Sequence, residues 1–373
     1  MEKRTIAYLN SGFFDTDITV IKELTKSFQV HWFVLLSPNE PYNADFFSRF
    51  VENSSIILHL YPIKSRRRSL HFAKLIYRCL KQIKKLHPAL VYTCHQDLYF
   101  PLFYKIFLRN IPLVMGIHDV LAHSSVNEPL MLKVAKRFNL YIANKYVLFS
   151  KNQYSLFKSL YPTKQCCFVG MSIKDFGMPT IPKSNNNGIK KLLFFGTLQP
   201  YKGCELLIEA FEKLLDSGVN NLRLSFYGRF GSDSYKKKCL SKIKHPDFYN
   251  FHFEFVANED VPNIFASHDW AVFPYRDATQ SGPLMINLRY GLPIIAPSHT
   301  CFTDIYGENT AIFYSDSNST KSLSEALIKV AALKENLYSD MCKLCSKTAS
   351  LFSEEVIADR YIKTFNMIIN ENN

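Results

Sequence analysis

The chain contains no apolar run of the roughly eighteen residues needed to cross a bilayer, which excludes a transmembrane helix by hydropathy. It also lacks paired cysteine motifs. Its nine cysteines are odd in number and irregularly spaced, and Cys342-x-x-Cys345 has no second pair. A disulfide framework and a four-ligand zinc site are therefore not expected. No long apolar core follows Met1; Thr5–Leu9 is too short for a signal peptide and reads as a buried strand. These features predict reduced cysteines and a cytoplasmic location. Zinc-finger spacing, basic-region heptads and an RNA-recognition motif are absent, so nucleic acid is not an expected partner.

The 373 residues exceed one ordinary core, so two domains are expected. The composition is that of a globular protein, 47% hydrophobic and 21% charged. Aromatic residues make up 14%, with 31 Phe and 21 Tyr, which implies large cores and some apolar surface. The formal net charge is +13, a balance that favours polyanions. A membrane surface and sugar-phosphate substrates fit it better than nucleic acid.

Apolar strand patterns alternate with helical ones through both halves. Examples are Ile6–Leu9, Val30–Leu36, Leu90–Cys94 and Leu113–Ile117, then Leu192–Phe195, Arg223–Tyr227, Phe251–Phe255 and Ile294–Ala296. Such alternation predicts parallel sheets with helices on both faces. Residues 180–191 are polar, with Pro and Gly, and read as the linker. The predicted domains are 1–180 and 181–353.

Two loops carry phosphate chemistry. The first runs from Gly196 to Gly203, between an apolar strand and the helical pattern Cys204–Leu215. Backbone N–H groups and a helix N-terminus at such a turn hold phosphate, and Lys202 adds a mobile point charge. The second, Thr279-Gln280-Ser281-Gly282, precedes a helix expected over Pro283–Tyr290 and capped by Gly291. Together the loops could grip the two ends of a nucleotide diphosphate.

These residues resemble family 4 of the retaining GT-B glycosyltransferases. The matching segments are Phe195-Gly196 with Lys202-Gly203, Phe273-Pro274-Tyr275-Arg276, Thr279-Gln280-Ser281-Gly282 and Tyr290-Gly291-Leu292-Pro293-Ile294-Ile295-Ala296. Ile117-His118-Asp119 and His87-Pro88-Ala89-Leu90-Val91-Tyr92 extend the likeness more loosely into the first half. The resemblance implies an α/β GT-B fold, two doubly wound Rossmann-like domains facing a central cleft, with the last helix (354–373) completing the first domain. It implies a hexosyltransferase using a nucleotide diphosphate sugar, without cofactor or metal. The acceptor would be a lipid-linked or polysaccharide precursor at the inner membrane face.

The implied donor residues are Gly196, Thr197, Gln199, Lys202, Gly203, Arg229, Thr279, Gln280, Ser281, Gly282, Pro283, Leu284 and Asn287. Lys202 and His118 carry the implied catalysis. Asn10, Ser11, Gly12, Phe13 and His95 form the implied acceptor side. The usual arginine beside the lysine is missing, and Thr197 or Gln199 stands in its place. Two glutamates of the family are replaced by Ala278 and Ile286, as in a Ser-Gly loop subgroup, which leaves ribose recognition to Asn287 or Asp304. These departures keep two other readings open: a non-catalytic GT-B sugar- or partner-binding protein, and a GT-B sugar-nucleotide epimerase.

Residues 64–86 combine nine Lys and Arg with apolar positions at helical spacing. The pattern predicts an amphipathic basic helix lying on an anionic membrane; the competing reading is a helix packed on the sheet with a solvated charged face.

Overall fold

The structure, a computed structural model, describes residues 3–38, 42–121, 130–182 and 188–371. The expected linker lies partly outside them. The chain divides into two units, residues 1–172 with 352–373 and residues 173–351.

In the first unit the order is β1 (Thr5–Asn10), α1 (Phe14–Asp17), α2 (Ile21–Leu24), β2 (Gln29–Leu36), α3 (Ala44–Val51), β3 (Ile57–Pro62), α4 (Leu70–Lys85) and β4 (Leu90–Thr93). It continues with α5 (Tyr99–Phe107), β5 (Leu113–Ile117), α6 (Leu130–Ile142), β6 (Lys145–Leu148), α7 (Lys151–Leu160) and β7 (Cys166–Phe168). Among the described residues the strands pair in the order β3-β2-β1-β4-β5-β6-β7. Every pairing is parallel, with Ile6 opposite Val30 on one side and Leu90 on the other. Chain order reverses between β1 and β4. The crevice outside the carboxyl ends at such a reversal is where doubly wound sheets bind ligands.

The second unit repeats the plan: β8 (Lys190–Phe195), α8 (Cys204–Asp216), β9 (Leu222–Tyr227), α9 (Asp233–Leu240), β10 (Tyr249–His252), α10 (Val261–Ala266) and β11 (Trp270–Val272). Then come α11 (Gly282–Tyr290), β12 (Ile294–Pro297), α12 (Thr300–Thr303), β13 (Ala311–Tyr314), α13 (Thr320–Ala332) and α14 (Glu335–Ser350). Its strands pair in parallel as β10-β9-β8-β11-β12-β13, so the reversal falls between β8 and β11. The two loops singled out in the sequence leave those two strands.

The last helix, α15 (Glu354–Glu371), belongs to the first unit. Its Ile357, Ala358, Tyr361, Phe365, Ile368 and Ile369 are buried with Ile6, Tyr8, Trp32 and Tyr92 in one apolar cluster. Helix α4 settles its two readings on the face it buries. Phe72, Ile76, Cys79, Leu80 and Ile83 pack into the core beneath the sheet, while Lys74, Arg78, Lys81, Lys84 and Lys85 face solvent. The expectation that this apolar face lies on a membrane is corrected; the core already covers it. Among the described residues no helix is long and apolar enough to cross a membrane, and the nine cysteines are free thiols.

Candidate functional site

In the second unit, β8 ends at Phe195 and the chain turns at Gly196, whose φ is 116°. A Cβ there would sit 3.1 Å from Pro283 Cγ and 3.3 Å from Lys202 Nζ. The first loop, its lysine and the N-terminus of α11 therefore meet at one point. Gly203 closes the loop with φ 67°, and a Cβ on it would lie 2.0 Å from the Pro274 carbonyl oxygen. Only glycine fits that conformation and that approach. Arg276 braces the assembly: its N–H donates to the Tyr201 carbonyl, and its guanidinium donates to Glu205 at 2.8 Å.

Lys202 is only 6% exposed. Its ammonium donates to Thr197 Oγ1 at 3.2 Å and lies 5.5 Å from the Tyr275 ring centroid. Burial pushes its pKa down to about 8, and among the described residues no neighbouring carboxylate opposes the shift. A buried cation facing hydroxyl and ring is poorly compensated, and an anion beside it restores the balance.

The second loop supplies the other half. Ser281 caps α11, its Oγ accepting from the Leu284 N–H at 3.2 Å, with Pro283 in the first turn. Thr279, Gln280, Gly282 and Pro283 are half-buried around this terminus, and Leu284 is buried beneath it. Lys174, which sequence reasoning missed, brings its Nζ to 3.2 Å from the place a Gly282 Cβ would take. A cation at the positive end of a helix opposes the macrodipole, an arrangement that an anion between them reverses.

Other donor candidates lie outside this point. Asn287 is wholly buried and donates to the Leu292 carbonyl (2.8 Å) and the Tyr306 hydroxyl (2.9 Å), so it holds the fold rather than a ribose. The Gln199 amide packs on Gly231. Arg229 is exposed on the loop after β9, its carbonyl accepting from the Leu198 N–H. Ile286 sits in an apolar cluster with Leu193, Val261, Phe265 and Leu292, where a glutamate would bury an uncompensated charge.

In the first unit, the carboxyl ends of β1 and β4 bring Ser11 and His95 together. Ser11 Oγ is 2.5 Å from His95 Nδ1, and His95 Nε2 bonds Asp97. All three side chains are buried. Burial raises the Asp97 pKa, but His95 and the N–H groups of Tyr99 and Phe100 outweigh it and hold the carboxyl below its ordinary value. An ionised Asp97 only accepts, which places an imidazole proton on Nε2, while Nδ1 shares the hydrogen bond with the Ser11 hydroxyl. The chain Asp97–His95–Ser11 thus polarises one serine oxygen at the switch point.

His118, just past β5, is stacked between Phe13 (centroids 3.8 Å apart) and Phe149 (4.2 Å). Phe13 is exposed and holds φ 59°, a conformation unusual for a bulky residue. Gly12 is half-buried between Ser11 and Phe13. Asn10 is corrected as an acceptor residue. It is fully buried, with its amide donating to both Asp17 oxygens (2.8 and 2.7 Å) and its carbonyl accepting from the Cys94 N–H. Nearby, a cavity of about 360 Å³ is lined by Ile117, Leu140, Phe157 and Tyr161 together with Lys133, Lys136 and Arg137 and one carboxylate, Asp119.

One cluster among the described residues has metal-ligand types, Glu212, Asp216 and His245. It sits at the far end of α8 from Gly203. His245 Nδ1 is 2.7 Å from Glu212, and Lys244 pairs with Asp216 at 2.7 Å.

Residues 189–332 match the family model described as "Glycosyl transferases group 1". No curated protein matches the chain. Among solved structures, HepE of Anabaena, in complex with UDP and glucose, aligns with a TM-score of 0.75 at 15% identity, over 98% of this chain and 100% of its own. A glycosyltransferase from Rickettsia africae aligns at 0.77 and 14% identity, over 99% of each chain. WaaG, a glycosyltransferase involved in lipopolysaccharide biosynthesis, aligns at 0.66 and 15% identity, over 97% of this chain and 99% of its own. The fold is GT-B, and residues 189–332 of the second unit match a group 1 glycosyltransferase domain.

Proposed function

We propose that the chain transfers a hexosyl group, with retention, from a nucleoside diphosphate sugar to a lipid-linked or polysaccharide-precursor acceptor in cell-surface polysaccharide biosynthesis. The observation that carries this reading is Lys202, a buried ammonium with no carboxylate partner among the described residues, at the switch point of the matched domain. HepE bound to UDP and glucose supports a uridine donor, and WaaG supports a surface-glycan pathway.

In this reading the bond between the anomeric carbon and the diphosphate oxygen breaks while the acceptor oxygen bonds to that carbon. Lys202 and the N-terminus of α11 stabilise the charge growing on the leaving diphosphate. The acceptor's proton passes to a leaving phosphate oxygen, so no dedicated carboxylate base and no metal are required. Ser11 Oγ, polarised through His95 and Asp97, accepts a hydrogen bond from the acceptor hydroxyl and orients it. His118, fixed between two rings, belongs to the same acceptor side. The cavity with Lys133, Lys136 and Arg137 against the single carboxylate Asp119 keeps a net positive lining, which suits an acceptor carrying phosphate.

The test is thermal stabilisation of the full chain against UDP, GDP, ADP, CMP and their sugar conjugates, with and without magnesium. A ligand that binds only the folded state raises its stability by mass action. The expected result is a metal-independent shift with one diphosphate that Lys202→Ala abolishes. No shift with any of them would favour the non-catalytic reading, with Ala278 and Ile286 as its cause.

A further inference from the structure

The positive charge is not spread evenly. Between residues 60 and 170 the sequence carries 18 lysines and arginines against three carboxylates, Asp97, Asp119 and Glu128. The remainder carries 27 against 29. All the excess charge of the chain therefore lies on one stretch of the first unit. That stretch includes α4, α5 and α6, and none of these helices contains an acidic residue.

The same helices expose apolar side chains. Among the described side chains of α6 the buried ones are Ala135 and Asn139, one small and one polar, with Asn139 donating to the Asp97 carbonyl at 2.9 Å. The opposite stripe is apolar: Val134, Phe138 (57% exposed) and Tyr141 (69% exposed), at spacings of four and three. On α5 the corresponding pair is Leu102 (53%) and Ile106 (58%), also one turn apart. The two stripes adjoin, because Lys105 of α5 holds its ammonium 4.1 Å above the Tyr141 ring. On the other flank of α5, Tyr77 of α4 edges the rings of Phe103 (5.9 Å) and Phe107 (5.3 Å). Lys81 and Lys84 of α4 lie over Tyr77 and Phe107. The result is an apolar ridge bordered by cations.

We propose that the outer faces of α5 and α6 seat the first unit on an anionic bilayer. Leu102, Ile106, Val134, Phe138 and Tyr141 enter the boundary between headgroups and acyl chains, and the cations of α4 and α6 lie over the headgroups. A helix face with large apolar side chains at i, i+4 and i+7 and a lysine rim is the pattern that partitions to the interface. Each nearby cation adds attraction to acidic lipid, and lysine and arginine stems reach outward from the buried ridge. Only Leu140 and Ile142 of the described α6 side chains pack against the unit's apolar core, and both are partly exposed, so the outward stripe is surplus to that packing. A nucleic acid would use the charge but not the ridge, and a second copy of the chain would repel at like charge.

The inference rests on the lipid-linked acceptor reading, and donor binding is measured beside it so that the two fail separately. The experiment is co-sedimentation of the full chain with phosphatidylcholine vesicles, with and without phosphatidylglycerol. The expected result is binding that requires phosphatidylglycerol, weakens with salt, and falls by about tenfold or more in Leu102→Asn/Ile106→Asn/Phe138→Ser. In a second variant, Lys81→Glu/Lys84→Glu, the salt dependence falls as well. Both variants keep the nucleotide-induced thermal shift of the parent, which shows that they fold. Absence of vesicle binding by the parent overturns the proposal. So does unchanged binding by the ridge variant, which would reduce the surface to charge alone and be matched by binding to a single-stranded oligonucleotide. A concentration-dependent dimer abolished by the ridge variant also overturns it. Vesicle binding without any nucleotide shift leaves the docking surface standing and removes the transferase reading.

Discussion

At the scale of the residue, Lys202 makes the sharpest predictions. Lys202→Met keeps the stem and removes the charge, and is expected to weaken diphosphate binding by about 10–100-fold, the worth of a charge-assisted hydrogen bond. Calorimetric titration of wild type and variant checks this. The pH dependence follows from its depressed pKa of about 8. The diphosphate selects the protonated amine, so affinity is full below pH 8 and falls as pH rises through and above it. A variant without the amine shows no such fall. Asp17 supplies a second titration. Burial raises its carboxyl to about 8, against hydrogen bonds from Asn10 and Tyr8 that lower it. The folded state therefore binds a proton that the unfolded state has already released above its ordinary value near 4. Stability of the first unit is expected to decline from about pH 4 to about pH 8. Denaturant midpoints measured across that range check it, and Asp17→Asn flattens the slope. Lys202 was legible because glycines punctuate its loop. Asn10 and Asn287 were misread because position at a strand end or helix start does not say which way a polar side chain turns. Lys174 was missed because it enters from a segment with no local motif.

At the scale of the element, the loops depend on backbone shape. Gly203→Ala must adopt a left-handed φ and meet the Pro274 carbonyl. It is expected to cost about 2–4 kcal/mol and to lose nucleotide binding, read by thermal melting with and without ligand. On the acceptor side, Ser11→Ala is expected to raise the acceptor KM while leaving the nucleotide-induced thermal shift unchanged. Initial-rate kinetics at saturating donor separate the two effects. Most strands were readable as apolar runs bounded by turns. The strands β3, β7 and β13 and several helices, α6 among them, were not. β3 is an edge strand of half-buried side chains and lacks the continuous apolar run of its neighbours. Helix α6 turns Val134, Phe138 and Tyr141 outward, so its pattern does not announce a core-facing helix. The periodicity of α4 was plain, but amphipathicity alone cannot say whether core or lipid covers the apolar face.

At the scale of the whole molecule, α15 ties the end of the chain to its beginning. Its five large core side chains, Ile357, Tyr361, Phe365, Ile368 and Ile369, are worth about 1.5–3 kcal/mol each, a sum comparable with the stability of an entire domain. Ending the chain at Leu351 is therefore expected to unfold the first unit and spare the second. Calorimetry would show one of two transitions lost, and hydrogen exchange would show protection only over 188–351. The alternation of strands and helices made the fold class legible. The return of α15 was implied by resemblance alone, since no local pattern states which sheet a terminal helix will cover.

The uncompensated ammonium of Lys202 also has a kinetic consequence. A group that stabilises a departing diphosphate holds the free product by the same contact, because the charge that left the sugar stays at the amine. Product exit, rather than bond breaking, is then expected to set the pace of turnover. The nucleoside diphosphate should compete with the donor, and the first turnover should run ahead of the steady state.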